Sequence, residues 1–352
     1  MEPFVHETRA ARVVFGPGSR RLLPRELEQL GIRRALVLTT PEQAALGEQV
    51  AALLGDRSVG VYSKAVMHVP AEVARAAMAT VAQLGVDGCI AVGGGSTVGL
   101  AKAIALESAL PIVALPTTYA GSEMTPLYGI TEAAHKKTGR DWRVAPRAVV
   151  YDPELTLTLP PGLTMTSGMN AMAHAAEALY APDGNPVFSL MAEEGIRALA
   201  TVLPRLRDAP QDLQARGEAL YGAWLCGTVL GNLQMGVHHK LCHTLGGSFN
   251  LPHAEVHTVM LPYALAYNAA LVPHAMARIA RALGREAAPA GMRQLGEGLG
   301  VPRSLREIGM PEEGLDRAAD LVVAGAYPNP RPIERAAIRA LLQRAYHGAT
   351  PG

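Results

Sequence analysis

The feature that most constrains this chain is a change of texture at Pro160-Pro161. Before it, six short runs rich in β-branched and apolar residues alternate with helical stretches; after it, no run reads as a strand. The strand candidates are RVVFG (12–16), RALVLTT (34–40), VGVYS (59–63), CIAVGG (89–94), PIVALPTT (111–118) and AVVYDP (148–153). The helical stretches between them include QAALGEQVAALLG (43–55), AEVARAAMATVAQLG (71–85) and TVGLAKAIALES (97–108). Nearly continuous apolar strands separated by helices describe a parallel sheet covered on both faces. Beyond the prolines, apolar residues recur at three and four through 186–207, 214–231, 255–271 and 333–346, the period of helices. The expected architecture is an α/β nucleotide-binding domain over 1–156 and an all-helical domain over 157–352.

Bulk properties narrow the partners. The 352 residues are 49% hydrophobic, enough for two cores, and 32 basic against 31 acidic residues leave a net charge of +1. No global field attracts nucleic acid or a membrane surface. No apolar run approaches the roughly 18 residues that a membrane span needs. Cys89, Cys226 and Cys242 form no CxxC pair, which fits a reducing cytoplasm better than a disulfide framework. The start, MEPFVHETRAAR, carries an early acid and no apolar core of a signal peptide.

Four motifs carry chemistry. In AVGGGSTVGLAKAI (91–104) a strand runs into Gly94, Gly95 and Ser96 and opens a helix, a place where backbone N–H groups can cradle phosphate. It matches neither GxGxxG nor the P-loop, and a plain strand-to-helix turn is the alternative. ALPTTYAGSEMT (114–125) offers the hydroxyls of Thr117, Thr118 and Ser122 at another strand's carboxyl end, where open α/β sheets bind ligands. In TSGMNAMAHAAEALY (166–180), Asn170 and His174 lie one helical turn apart and face the same way. GVHHKLCHTLGGSFNLPHAEVH (236–257) then packs five of the eleven histidines into twenty residues. Of these, His239, His243 and His253 read as functional, and His238 and His257 as ordinary. The basic run HKKTGRDWRVAPR (135–147) reads as a solvated face from which some residues reach a cofactor or an anionic substrate.

The order GGGS, PTTYAGSE, YDPELT, a polar residue four before a histidine, HxxxH and a later PH resembles the iron-containing (group III) alcohol dehydrogenase superfamily, which includes glycerol dehydrogenase and, more distantly, dehydroquinate synthase. Within it, PTTYAGSEMTPLYGITE, KKTGRD, YDPELTLTLP and TSGMNAMAHAAEALYA are similar to the maleylacetate reductases. The resemblance implies a cytoplasmic homodimer that uses NADH or NADPH to reduce a dicarboxylate, maleylacetate, to 3-oxoadipate in aromatic-compound degradation, with the active site in a cleft between the domains. Gly94, Gly95 and Ser96 would then hold pyrophosphate, Thr117 and Thr118 the adenosine and ribose side, and Lys137 the nicotinamide ribose.

Three departures from the family pattern matter. Asn170 stands where family metal sites carry an acid, with His174, His239 and His253 as the other ligands; the lost carboxylate argues for a site without metal, those three histidines being the fallback ligands. Gly99 stands where the helix after GGGS usually carries Asp. Thr40 ends the second strand where NAD-selective members carry Asp, so both nicotinamide cofactors are expected to be accepted. With a conjugated alkene as the target, hydrogen-bond donors can stabilise the enolate in place of a metal. His243 is then the first candidate for proton donor and His239 the second, while His174, His253 and Asn170 orient the substrate and Lys240 or the basic run pairs with the dianion. The competing readings are a metal-dependent alcohol or polyol dehydrogenase and a nucleotide-binding regulator without activity.

Overall fold

In the computed structural model the described residues are Phe4, His6, 11–132 and 135–351. The expectation about a signal peptide, and the side chain of Lys136, fall largely or wholly outside them. The chain divides into two compact units, one ending at Leu159 and the other beginning at Pro160.

In the first unit, β1 (Arg12–Phe15), β2 (Ala35–Leu38), β3 (Ser58–Tyr62), β4 (Gly88–Gly93), β5 (Ile112–Pro116) and β8 (Ala148–Tyr151) form a six-stranded sheet in the order β1-β8-β5-β4-β2-β3. Every pairing in it is parallel. Burial explains the composition: β2, β4, β5 and β8 are buried along their whole length, whereas the edge strands β1 and β3 are partly or fully exposed at every position but Tyr62. The connecting helices are α1 (Leu23–Gln29), α2 (Ala44–Leu54), α3 (Ala71–Leu84) and α4 (Gly95–Ser108). From β2 the chain goes to β3 on one side, then returns past it to β4 on the other. That reversal is a topological switch point, where the loops after β2 and β4 diverge and open α/β sheets accept ligands. The basic run does not form a bare loop: β6 (Leu127–Glu132) and β7 (His135–Arg140) pair antiparallel as a separate two-stranded sheet.

The second unit is helical, as its periodicity requires. Its helices are α5 (Pro161–Ala178), α6 (Pro186–Asp208), α7 (Leu213–Asn232), α8 (Val237–Phe249), α9 (His253–Asn268), α10 (Pro273–Leu283), α11 (Ala288–Leu299), α12 (Leu315–Val323) and α13 (Arg335–His347). The central α5 packs against α6, α7 and α9 and is buried continuously from Thr164 to Ala178. Its small and flexible side chains, Ala, Gly and Met, let three neighbours close around it. A second core, with Leu241, Leu245, Met260 and Leu342 among its members, joins α8, α9, α12 and α13. Among the described residues no helix is long and apolar enough to cross a membrane.

Candidate active site

Three loops meet at the carboxyl edge of the parallel sheet. After β4, Gly94 caps α4 without any side-chain capping bond. A Cβ on Gly94 would stand 2.9 Å from the Thr118 methyl, whereas one on Gly95 would meet nothing within 4 Å. The backbone is therefore held from below by the hydroxyl-rich loop and open above the first helical turn. An uncapped helix start with free space before it accepts an anion. After β5, Thr118 is half-buried against that glycine, and the buried Thr117 hydroxyl accepts a 3.0 Å bond from Gln43, which follows β2. Thr40 is half-buried just before the 3-10 turn Pro41–Gln43. The exposed Glu42 carboxyl is held below its usual pKa by its own backbone N–H and by the Thr40 hydroxyl.

The other predicted cofactor contacts are placed differently. Ser122 belongs to a buried network: Lys102 of α4 donates to its carbonyl at 2.7 Å and its hydroxyl at 3.2 Å, to the Thr125 hydroxyl at 2.8 Å and to the Leu127 carbonyl at 2.7 Å. Ser122 thus anchors its loop to the helix of the glycine turn. Burial pulls the Lys102 pKa down to about 7 against the opposing charge of Glu123, whose own carboxyl burial pushes upward. Lys137 is exposed on β7, with its ammonium 3.4 Å from Glu132. Gly99 faces Val69, whose methyl lies 2.8 Å from where a Cβ would sit, so the side chain usual in the family has no room here without a shift.

In the helical unit, α5 and α8 bring their polar residues together. His174 Nδ1 lies 2.8 Å from His239 Nε2, and His239 Nδ1 lies 2.6 Å from the Glu177 carboxylate. A carboxylate accepts, so His239 donates from Nδ1, and its Nε2 accepts from the Nδ1–H of His174. The buried Glu177 also receives the backbone N–H groups of Gly236 at 3.0 Å, His238 at 2.8 Å and His239 at 3.3 Å. It caps α8 from a neighbouring helix, supplying the acceptor that Gly236 lacks, and a negative charge suits a helix start. Burial raises the Glu177 carboxyl, but the hydrogen bonds from the His239 ring and the His238 backbone help bring it below the ordinary value.

Further imidazoles surround this pair. His257 bonds through Nδ1 to His238 Nε2 at 3.0 Å, and burial keeps both neutral, with the His238 pKa lowered to about 3. The His253 ring is 4.5 Å from that of His257 and stacked 6.4 Å from that of His243. His243 itself is exposed, one turn on from His239. Asn170 is 2% exposed, and its Oδ1 has no hydrogen-bond partner among the described residues.

Comparison with known proteins places this architecture. The family model for iron-containing alcohol dehydrogenases matches residues 10–153, and that for the C-terminal part of the Fe-containing alcohol dehydrogenase family matches 164–346. The chain belongs to the iron-containing alcohol dehydrogenase family. Among relatives of this family, a maleylacetate reductase of Burkholderia cepacia is 62% identical over 100% of both chains, and one of Pseudomonas sp. strain P51 is 56% identical over 99% of both. The crystal structure of maleylacetate reductase from Rhizobium sp. strain MTP-10005 superposes with a TM-score of 0.95 at 53% identity, covering 100% of both chains.

An iron-containing family raises the question of an ion. His174, His239 and His257 each offer a ligand atom within 4.8 Å of the others, all from buried rings. The Asn170 oxygen, on the same face of α5 as His174, is an orphan of the kind an ion would satisfy. In nitrogen count and spacing these residues fit a divalent ion that accepts imidazole, such as Zn²⁺ or Fe²⁺. The set has no carboxylate; the nearby acid, Glu177, is bonded to His239 and the α8 backbone.

Of the predicted site residues, the structure brings Asn170, His174 and His239 into one buried wall, with His253 and His243 on its outer side. Beside the predicted fallback ligands His174 and His239, a third nitrogen within 4.8 Å comes from His257, which reads as ordinary in the sequence, and the ring of His253, the predicted third ligand, lies 4.5 Å from the His257 ring. The signal was there: His257 is one turn beyond His253, and only the facing of α9 decides which ring turns inward. Glu177 escapes sequence reasoning as well, although it continues the polar stripe of Asn170 and His174 at the next helical turn.

Proposed function

We propose that the chain is a reductase of maleylacetate, converting its conjugated double bond to the single bond of 3-oxoadipate with NADH or NADPH, and that it needs no metal to do so. The observation that carries the reading is full-length likeness at 62% identity to the Burkholderia cepacia enzyme. The oxidoreductase family and the open, uncapped glycine turn support a dinucleotide on the α/β unit. We extend the proposal to a homodimer in the cytoplasm, on the strength of the family resemblance.

A reduced nicotinamide, when bound, would supply the hydride that adds to the alkene carbon β to the ketone. The alkene electrons then move to the ketone oxygen, and the α carbon takes a proton. The protein's part is to hold the dianion, stabilise the enolate and deliver that proton. His243 is the proton donor. His239, the second candidate, has both ring nitrogens committed to Glu177 and His174. The side-chain amide of Asn170 and the ring of His253 supply hydrogen bonds to the enolate oxygen, and a preorganised donor in a closed site is worth far more than one in water. His174 positions this wall through its bond to His239. Were an ion present on His174, His239 and His257, it would polarise a carbonyl oxygen as a Lewis acid. A conjugated enolate spreads its charge without that help, and the neutral Asn170 removes the anion that would favour the ion.

The test is NADH oxidation followed spectrophotometrically with maleylacetate, before and after chelation, alongside metal analysis of the protein. Turnover that survives complete metal removal is expected. A metal-dependent alcohol dehydrogenase, the reading favoured by three imidazoles within 4.8 Å, is established instead if the protein carries stoichiometric metal and chelation abolishes activity.

A further inference from the structure

Beside the histidine wall stand two hydrogen-bond donors without acceptors. Lys240 follows His239 on α8 and is half-buried, and among the described residues no hydrogen bond or acidic partner holds its ammonium. The ammonium lies 5.8 Å from the centre of the Tyr327 ring, near the outer limit of a cation–π contact. The Tyr327 hydroxyl is itself buried, with no hydrogen-bond partner among the described residues. Burial, with the charges of Tyr267 and Glu177, raises its pKa, so it remains a neutral O–H donor.

The segment after Tyr327 is fastened to the start of α8. Asn329 Oδ1 accepts from the Val237 N–H at 3.3 Å, and Asn329 exchanges two amide bonds with Asn268, at 2.8 and 3.0 Å. A Cβ on Gly236 would stand 3.0 Å from the Pro328 carbonyl and 3.1 Å from both Asn329 Oδ1 and Glu177 Oε1. Tyr327 is therefore carried against the same helical turn that Glu177 caps. Glu177 is already committed to three backbone N–H groups and His239, and serves neither donor.

An ammonium only donates, and a buried hydroxyl without a partner is costly, so the partner that both lack is an acceptor, and the ammonium makes an anion the best one. We propose that Lys240 and Tyr327 together bind one carboxylate of the dicarboxylate substrate. This deepens, and rests on, the reading of the chain as a reductase of maleylacetate.

Two variants keep the packing and remove the donors: Lys240→Met retains the stem, and Tyr327→Phe retains the ring. Each should raise KM for maleylacetate by about 10- to 100-fold, the range for hydrogen bonds to a charged group. KM for NADH should stay unchanged and kcat within about threefold, a split that general loosening would not give. Because the donors share one carboxylate, the double variant should lose less than the product of the single losses. An unchanged KM in either variant, an equal rise in KM for NADH, or fully multiplicative losses overturns the proposal. Should the wild type fail to reduce maleylacetate, the functional reading falls, and calorimetry with glutarate as the probe still reads the site. Binding to the wild type that weakens in both variants then sustains it; no binding, or equal binding by all three, overturns it.

Discussion

Asn170→Asp restores the acidic residue usual in the family and tests the metal question directly. Asn170 is 2% exposed and its oxygen has no protein donor, so an ionised carboxylate in its place is an uncompensated buried charge. Such a charge costs about 3–5 kcal/mol. At roughly 2–4 °C per kcal/mol for a unit of this size, the melting temperature in chelator should fall by about 6–20 °C. An ion bound through the introduced carboxylate and the imidazoles offsets the loss; at a hundred times its Kd it returns about 2.7 kcal/mol. Thermal melts of both proteins, with EDTA and then with Zn²⁺, read both effects. NADH oxidation with maleylacetate should fall about 100-fold in the variant, the typical loss on removing one donor that stabilises an oxyanion. Equal melting of variant and wild type in EDTA would refute the account of Asn170 as a buried side chain whose oxygen has no donor among the described residues. A Zn²⁺-loaded variant as fast as the wild type would refute the role given to its amide.

Four further outcomes follow from the same geometry. His243→Ala should lose at least about tenfold in kcat/KM, within the 10²–10⁴ typical of a general acid, and a smaller loss removes His243 from that role. Glu177→Gln leaves three backbone N–H groups and His239 sharing one neutral oxygen, so urea unfolding should show a loss of about 3 kcal/mol. Lys102 is depressed in the folded state, so the unfolded chain binds its proton more tightly; stability should rise with pH from about 7 to 10.5, and Lys102→Met should remove that part of the slope in melts across the window. Glu123, raised by burial, slopes the opposite way from about pH 4.5 upward, so the difference between wild type and variant is the readout. With Thr40 after β2, kcat/KM for NADH and NADPH should differ by less than about a hundredfold; a greater preference for NADH would assign the exposed Glu42 the part played by Asp in NAD-selective relatives.

Much of the fold was legible because burial writes a strong pattern. β2, β4, β5 and β8 are enclosed on both faces, and their sequences are unbroken apolar runs. The hairpin β6–β7 is only partly buried along β6, and its second strand, HKKTGR, has no apolar alternation to betray it. The burial of Lys102 has no local signal, because nothing near it in the sequence reveals that β6 and the Ser122 loop cover its helix. In the site, spacing disclosed what lies on one helix, such as Asn170 with His174. Partners contributed from afar stayed hidden: Asn329 reaches Val237 across 92 residues, and Glu177 reaches His238 across 61.

The cap that Glu177 places on α8 bears on how the site could change over evolutionary time. The two histidine-bearing helices are cross-braced by a carboxylate and four N–H groups, all supplied by the protein. A scaffold braced in this way does not rely on an ion to hold its imidazoles in place. On the proposed reading of Asn170, an acid at that position can be exchanged for an amide while the architecture stands. If the proposed metal-free reaction holds, one substitution on the inner face of α5 is a short step between reactions that use a Lewis acid and reactions that dispense with one.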